Sequence, residues 1–154
     1  MLPKGATVLE IGSAVGFLGL HLARVRPDLR ITLAEDNLSL GMTMQRIMAR
    51  NGPQFGESLA LRHTALGDGL IRLATEDKPQ VLLLADPGLT PDALLDLLPR
   101  LQSPLPEQIL LYGRLLENHH TALGPVEDLL AELGYSPGLG FDRGIARGFV
   151  LPPD

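Results

Sequence analysis

Val8-Leu9-Glu10-Ile11-Gly12-Ser13-Ala14-Val15-Gly16-Phe17-Leu18-Gly19 is the segment from which the architecture follows. An apolar strand runs into glycines and then directly into a helical pattern. A second apolar run, Ile31-Thr32-Leu33-Ala34, ends in Glu35 and Asp36, roughly 20 residues further on. Strand, glycine turn, helix, strand and acid together make the layout of a nucleotide-cofactor site in a βαβ unit. The glycines let backbone approach a ligand closely, and the acid can accept hydrogen bonds from ribose hydroxyls.

Outward from this segment the pattern alternates. Thr7 to Ile11 reads as a strand and Val15 to Val25 as a helix carrying Leu18, Leu20, Leu22 and Val25 among small residues. Ile31 to Glu35 is the second strand, and Ser39 caps a second helix that reaches Arg50 and stops at Asn51-Gly52-Pro53. Ser58 to Thr64 alternates as a strand and ends in a turn at Gly67-Asp68-Gly69. Gln80 to Ala85 is the most hydrophobic strand, and its continuously apolar Val81-Leu82-Leu83-Leu84 is as expected of a central parallel strand covered on both faces. Thr90-Pro91-Asp92 places a hydroxyl cap, a proline and an acid at the start of a helix that runs to Leu101. A fifth strand spans Gln108 to Tyr112. A helix from Pro125 to Leu133 ends at Gly134, a left-handed cap. Strands at Leu139–Phe141 and Ala146–Leu151 form a terminal hairpin across Asp142-Arg143-Gly144. The expected order is β-α-β-α-β-β-α-β-α-β-β: a mostly parallel seven-stranded sheet, helices on both faces, closed by an antiparallel hairpin.

Composition narrows the function. The 154 residues predict one domain, 1–154, that buries about 70% of its unfolded surface. No apolar run approaches the ~20 residues of a membrane span, and the first strand follows Met1 too closely for a signal peptide, so the cytoplasm is the expected location. The absence of cysteine excludes disulfides, thiolate chemistry and cysteine zinc sites. The net charge is -5, lysine occurs only at Lys4 and Lys78, and aromatics make up 4%. No basic track and no base-stacking platform emerge, so no nucleic-acid partner is expected, and a small-molecule substrate is.

These motifs resemble the class I S-adenosylmethionine-dependent methyltransferases, and within them the FkbM-type family. The first motif of that family, Asp/Glu-x-Gly-Ala-Asn-x-Gly, stands as Glu10-Ile11-Gly12-Ser13-Ala14-Val15-Gly16. The second, Phe-Glu-Pro-Asn-Pro, stands as Ala34-Glu35-Asp36-Asn37-Leu38. Asn51-Gly52, Ala65-Leu66-Gly67-Asp68 and Asp86-Pro87-Gly88 match later turns, and the likeness covers nearly the whole chain. Two departures are Ala14 in place of the motif asparagine and the lack of a Glu-Gly-x-Glu pattern after Asp86. The resemblance implies a Rossmann-like fold, S-adenosylmethionine as cofactor, and O-methylation of a small-molecule or sugar hydroxyl.

The residues then take the following expected roles. Gly12, Ser13 and Gly16 shape the turn at the amino-acid end of the cofactor, and Glu10 behind it accepts from backbone or helps to hold the ammonium. Glu35 accepts the ribose hydroxyls; Asp36 is its neighbour. Ala65, Leu66 and Asp68 fall where class I enzymes contact adenine. For the reaction, Asp86 at the end of the central strand and His119 after the fifth strand are the candidate bases. No metal-ligand spacing is present.

Each position also has a structural reading: a plain strand-to-helix corner for the glycines, a solvated acid or helix cap for the carboxylates, a solvated loop for His119-His120. Two other functions stay open. One is a catalytically degenerate cofactor-binding domain acting as a partner subunit. The other is an NAD-dependent reductase, although neither Tyr112 nor Tyr135 has the lysine four residues on that short-chain dehydrogenases need. Helical leucines left uncovered by a substrate lid would also suit a homodimer.

Overall fold

The structure, a computed structural model, describes residues 2–51, 55, 58–65, 67–85, 89–112, 115, 122–138 and 146–152. Its strands are β1 (Thr7–Ile11), β2 (Arg30–Glu35), β3 (Leu59–His63), β4 (Val81–Leu84), β5 (Gln108–Tyr112), β6 (Ser136–Pro137) and β7 (Ala146–Val150). The helices are α1 (Phe17–Val25), α2 (Leu38–Asn51), α3 (Asp68–Asp77), α4 (Pro91–Leu97) and α5 (Gly124–Glu132). The strands form one seven-stranded sheet in the order β3-β2-β1-β4-β5-β7-β6. β1 to β5 are parallel, and β7 is antiparallel to both β5 and β6. The chain fills one side of β1 first and then crosses to the other. This leaves a switch point between β1 and β4, where open α/β sheets place ligands.

Alternation along the central strands explains the two layers of helices. Leu9, Ile11, Leu82, Leu84, Ile109 and Leu111 point into one core with Leu94, Leu97 and Leu130 of α4 and α5. Val8, Val81, Leu83, Ile31 and Leu33 point into the other with Ala23 of α1 and Met44 of α2. The run Val81-Leu82-Leu83-Leu84 is continuously apolar because both of its faces are covered, and all four residues are buried. Gly19 and Ala23 are the buried positions of α1, and their small size lets that helix approach the sheet.

The helix ends follow local chemistry. Thr90 Oγ1 accepts from the Ala93 N–H at 3.2 Å with Pro91 in the first turn, as the sequence predicts. The Tyr135 N–H donates to the Leu130 carbonyl at 2.9 Å around Gly134, whose φ of 94° is the left-handed cap. The cap of α2 is Asn37 instead of Ser39: its Oδ1 accepts from the Ser39 and Leu40 N–H groups at 3.0 and 3.2 Å. The expected turn at Gly67-Asp68-Gly69 is the start of α3, whose Leu70 and Leu73 are buried. α4 stops at Leu97 and continues as a 3-10 turn over Leu98–Arg100. The first strand of the terminal hairpin is Ser136–Pro137, at the edge of the sheet beside β7, and the expected strand at Leu139–Phe141 lies outside the described residues. Among the described residues no helix is long and apolar enough to cross a membrane.

Leu82 has no exposed surface at the centre of the sheet. Truncation to alanine should lower unfolding free energy by about 2–5 kcal/mol in urea denaturation. Val25→Ala, on a side chain 54% exposed, should stay within about 0.5 kcal/mol of the unchanged protein.

Candidate functional site

The turn after β1 is stitched to the end of β2. The Gly12 and Ser13 N–H groups both donate to the Ala34 carbonyl, at 3.0 and 3.3 Å, and Ser13 Oγ donates to it as well. One residue further, the Ala14 N–H donates to Glu35 Oε2 at 2.6 Å, while Glu35 Oε1 accepts from the Asn37 N–H at 2.9 Å. A single buried carboxylate therefore holds the β1–α1 turn and the β2–α2 turn together. Burial pushes its pKa up, the two N–H donors act against this, and Asp36 beside it adds to the rise.

This turn needs unusual backbone. Gly12 and Gly16 lie at φ of 73° and 77°, and Ala14 between them lies at 52°. A side chain at Gly16 would also collide with Met44 Sδ, 2.5 Å from where its Cβ would stand. Gly16 thus meets two requirements, a left-handed corner and contact with α2.

Glu10 stands on β1 opposite Leu33 and Leu83, an acid in an otherwise apolar layer. It is buried; Oε1 accepts from the Tyr112 hydroxyl, and Oε2 has no hydrogen-bond partner among the described residues. Desolvation pushes its carboxyl up to about 7, opposed in part by the Tyr112 hydroxyl and the nearby Gly19 backbone. Gly19 leaves the room for it, since a Cβ there would come within 2.6 Å of Glu10 Oε2 and would collide with Leu33 Cδ2.

These groups surround a cleft of about 610 Å³ at the carboxyl ends of the strands. Glu10, Gly12, Ser13, Ala14, Glu35 and Asp36 line it, with Asn37, Phe17, Ala85 and Tyr112. Of the expected cofactor contacts, Glu10, Gly12, Ser13, Glu35 and Asp36 thus converge, and Gly16 braces their turn. Asp68 is elsewhere engaged: exposed at the start of α3, it is ion-paired with Arg100. Ala65 is exposed beyond β3, and Leu66, Asp86 and His119 lie outside the described residues. Tyr112 and Gly19 are the groups around Glu10 that sequence reasoning missed. The third glycine of Gly12-Gly16-Gly19 was the available signal for the second; the first had none. Among the described residues no cluster of acids and histidines is placed to hold a metal.

Strand order, the acid-bearing β1 turn and the antiparallel β7 coincide in one architecture. The fold is that of the class I methyltransferases. A methyltransferase from Pyrococcus furiosus superposes with a TM-score of 0.64 at 18% identity, covering 97% of this chain and 77% of that one. The tRNA methyltransferase TrmK of B. subtilis superposes at 0.63 and 16% identity, covering 96% and 59%. No family model matches the chain. In sequence, 75 residues are 39% identical to a protein named ribosomal RNA small subunit methyltransferase G from Nocardioides sp.. That match covers 48% of this chain and 30% of the relative, so the chain spans under a third of the length of the curated protein it matches. Three more proteins of that name, from other bacteria, match as well.

This overturns the expectation that nucleic acid plays no part, because the relatives matched in sequence are named for ribosomal RNA. Net charge is no test of this, because it sums over the whole chain, whereas a nucleic acid meets one surface. Arg46 and Arg50 are exposed one turn apart on α2, which packs beside β3, and β3 carries exposed Arg62. None of the three has an ion-pair partner among the described residues.

Two outcomes check this geometry. Ala14→Gly should raise stability by about 1 kcal/mol, because it relieves a left-handed alanine; chemical denaturation reads it. Glu10 has a folded pKa above its unfolded one, so its contribution to stability is full at low pH and is lost as pH rises toward 7. The denaturation midpoint should therefore fall as pH rises from 4.5 to about 7 in the native protein, and Glu10→Gln should flatten that profile.

Proposed function

We propose that the chain binds S-adenosylmethionine in the β1–β2–β4 cleft and transfers its methyl group to RNA. The observation that carries the first half is the acid-lined cleft, closed by the stitched turn of Gly12, Ser13 and Ala14. The residues suit this cofactor. Positive-φ backbone permits close approach, Glu35 stands at the end of β2 for the ribose, and Glu10 lies buried behind the turn as an acid in want of a counter-charge.

When bound, S-adenosylmethionine supplies a methyl group on a sulfonium, open to in-line displacement. The protein's share is alignment and exclusion of water, which contribute much of such a reaction's acceleration. Glu35 already spends one lone pair of each oxygen on backbone N–H groups and keeps the others for hydroxyl donors. The three acids of the cleft wall favour a cationic ligand over a neutral one. Where the attacked group must lose a proton, Asp86 and His119 are the bases we assign, on sequence grounds.

The RNA half is supported by the names of the curated relatives and by Arg46, Arg50 and Arg62 on adjoining elements. The likeness to FkbM-type enzymes rests on the quoted motifs alone, so the RNA reading takes precedence over hydroxyl methylation.

Calorimetric titration with S-adenosylhomocysteine should show micromolar affinity, about -8 kcal/mol, reduced at least tenfold in Glu35→Ala. Transfer of a tritiated methyl group to small-subunit ribosomal RNA should be detectable, and reversing the charge at Arg46, Arg50 and Arg62 should abolish it while leaving homocysteine-cofactor affinity unchanged. Labelling of sugar or small-molecule hydroxyls alone would return the reading to O-methylation. Cofactor binding with no acceptor labelled would make the chain a binding subunit.

A further inference from the structure

Tyr112 has no role in the function just described, yet it reaches the middle of the cleft wall. It ends β5 two residues beyond Leu110, which pairs with Leu83, which in turn pairs with Glu10. Tyr112, Leu110, Leu83 and Glu10 therefore share one face of the sheet. From the carboxyl edge of that face the Tyr112 hydroxyl crosses β4 and donates to Glu10 Oε1. Both residues line the cleft.

A phenol whose proton is committed to a carboxyl still has acceptor capacity on its oxygen, with the acid's charge behind it. This arrangement suits a cationic N–H donor. The cleft otherwise offers acids and no base: Glu10, Glu35 and Asp36 line it, and no described lysine, arginine or histidine does. A cation there has to come from the ligand. We propose that Tyr112 is a positioning residue that accepts from the α-ammonium of the cofactor's amino-acid end and relays that charge to Glu10. The proposal rests on the cofactor reading above and adds the residue that selects the amino-acid end.

The groups that face Glu10 are few. Leu33 of β2, Leu83 of β4 and Gly19 of α1 cannot titrate, and Tyr112 of β5 is held protonated by burial and by Glu10 itself. Glu35 and Asp36 are the other charged groups of the cleft. Glu10 is thus half protonated near pH 7 in the free protein, and a cation close by favours its ionised form. Affinity for an ammonium-bearing ligand should rise as pH rises through about 7.

The test compares S-adenosylhomocysteine with 5′-methylthioadenosine, which has the same adenosine and thioether but no amino-acid end. In calorimetric titrations Tyr112→Phe should weaken S-adenosylhomocysteine about tenfold and leave 5′-methylthioadenosine within about twofold. Adding Glu10→Gln to Tyr112→Phe should cost less than the two single losses combined. On the unsubstituted protein, S-adenosylhomocysteine affinity should rise several-fold from about pH 6 to 8 while that of 5′-methylthioadenosine stays flat, a readout independent of how the variants fold. Equal losses for both ligands, no loss for either, or a flat profile for S-adenosylhomocysteine would overturn the role of Tyr112 with the pocket intact. Binding of neither ligand by the unsubstituted protein would overturn the cofactor reading, and this proposal with it.

Discussion

The site depends on the bond set between the first turn and the end of β2. Parallel pairing of β1 and β2 brings Ile11 level with Ala34, and the hydrogen bonds continue past the strand ends through Gly12, Ser13 and Ala14. Such a turn would otherwise expose several N–H groups at a buried edge, each costing about 1–3 kcal/mol if unpaired. Ala34 and Glu35 receive them. The same carboxylate also accepts from Asn37, which in turn caps α2. One buried acid thereby sets the spacing of two turns and one helix, and the cleft is the gap they leave.

Glu10 shows the opposite economy. Its partners on the flanking strands, Leu33 and Leu83, are apolar, and its burial lowers stability at neutral pH, where an ionised carboxyl is poorly solvated. An alanine or leucine at that position would fit the packing pattern better. The acid is tolerated because Gly19 opens space above it and Tyr112 supplies a donor from a strand two places away in the sheet. A residue that weakens the fold locally while facing a ligand cleft fits a binding role better than a packing one.

Much of the scaffold was legible because its signals are local. Continuous apolarity marked β4, an apolar run into glycine marked β1, and the Thr90-Pro91-Asp92 start needed no tertiary information. Glu35 was legible too, because its place at a strand end after a glycine turn is a matter of counting. Helix α3 was hidden: Gly67-Asp68-Gly69 carries the same residues as a turn, and only burial of Leu70 and Leu73 against the sheet makes it a helix start. The Asn37 cap was missed for a related reason, since Ser39 and Asn37 are both good caps and the actual start depends on where β2 ends.

The sequence alone determined the α/β architecture with helices on both faces of the sheet and the acid-flanked glycine turn, because hydrophobic period and backbone freedom are properties of neighbouring residues. Tertiary structure alone decided that Tyr112, 102 residues away, meets Glu10, and that Asp68 goes to Arg100 instead of the cleft. Strand order brings β5 within reach of β1 across β4, and no local pattern encodes that order. The gathering of Arg46, Arg50 and Arg62 on adjoining elements was equally invisible, since net charge is a sum over the chain and a binding surface is a place on the fold.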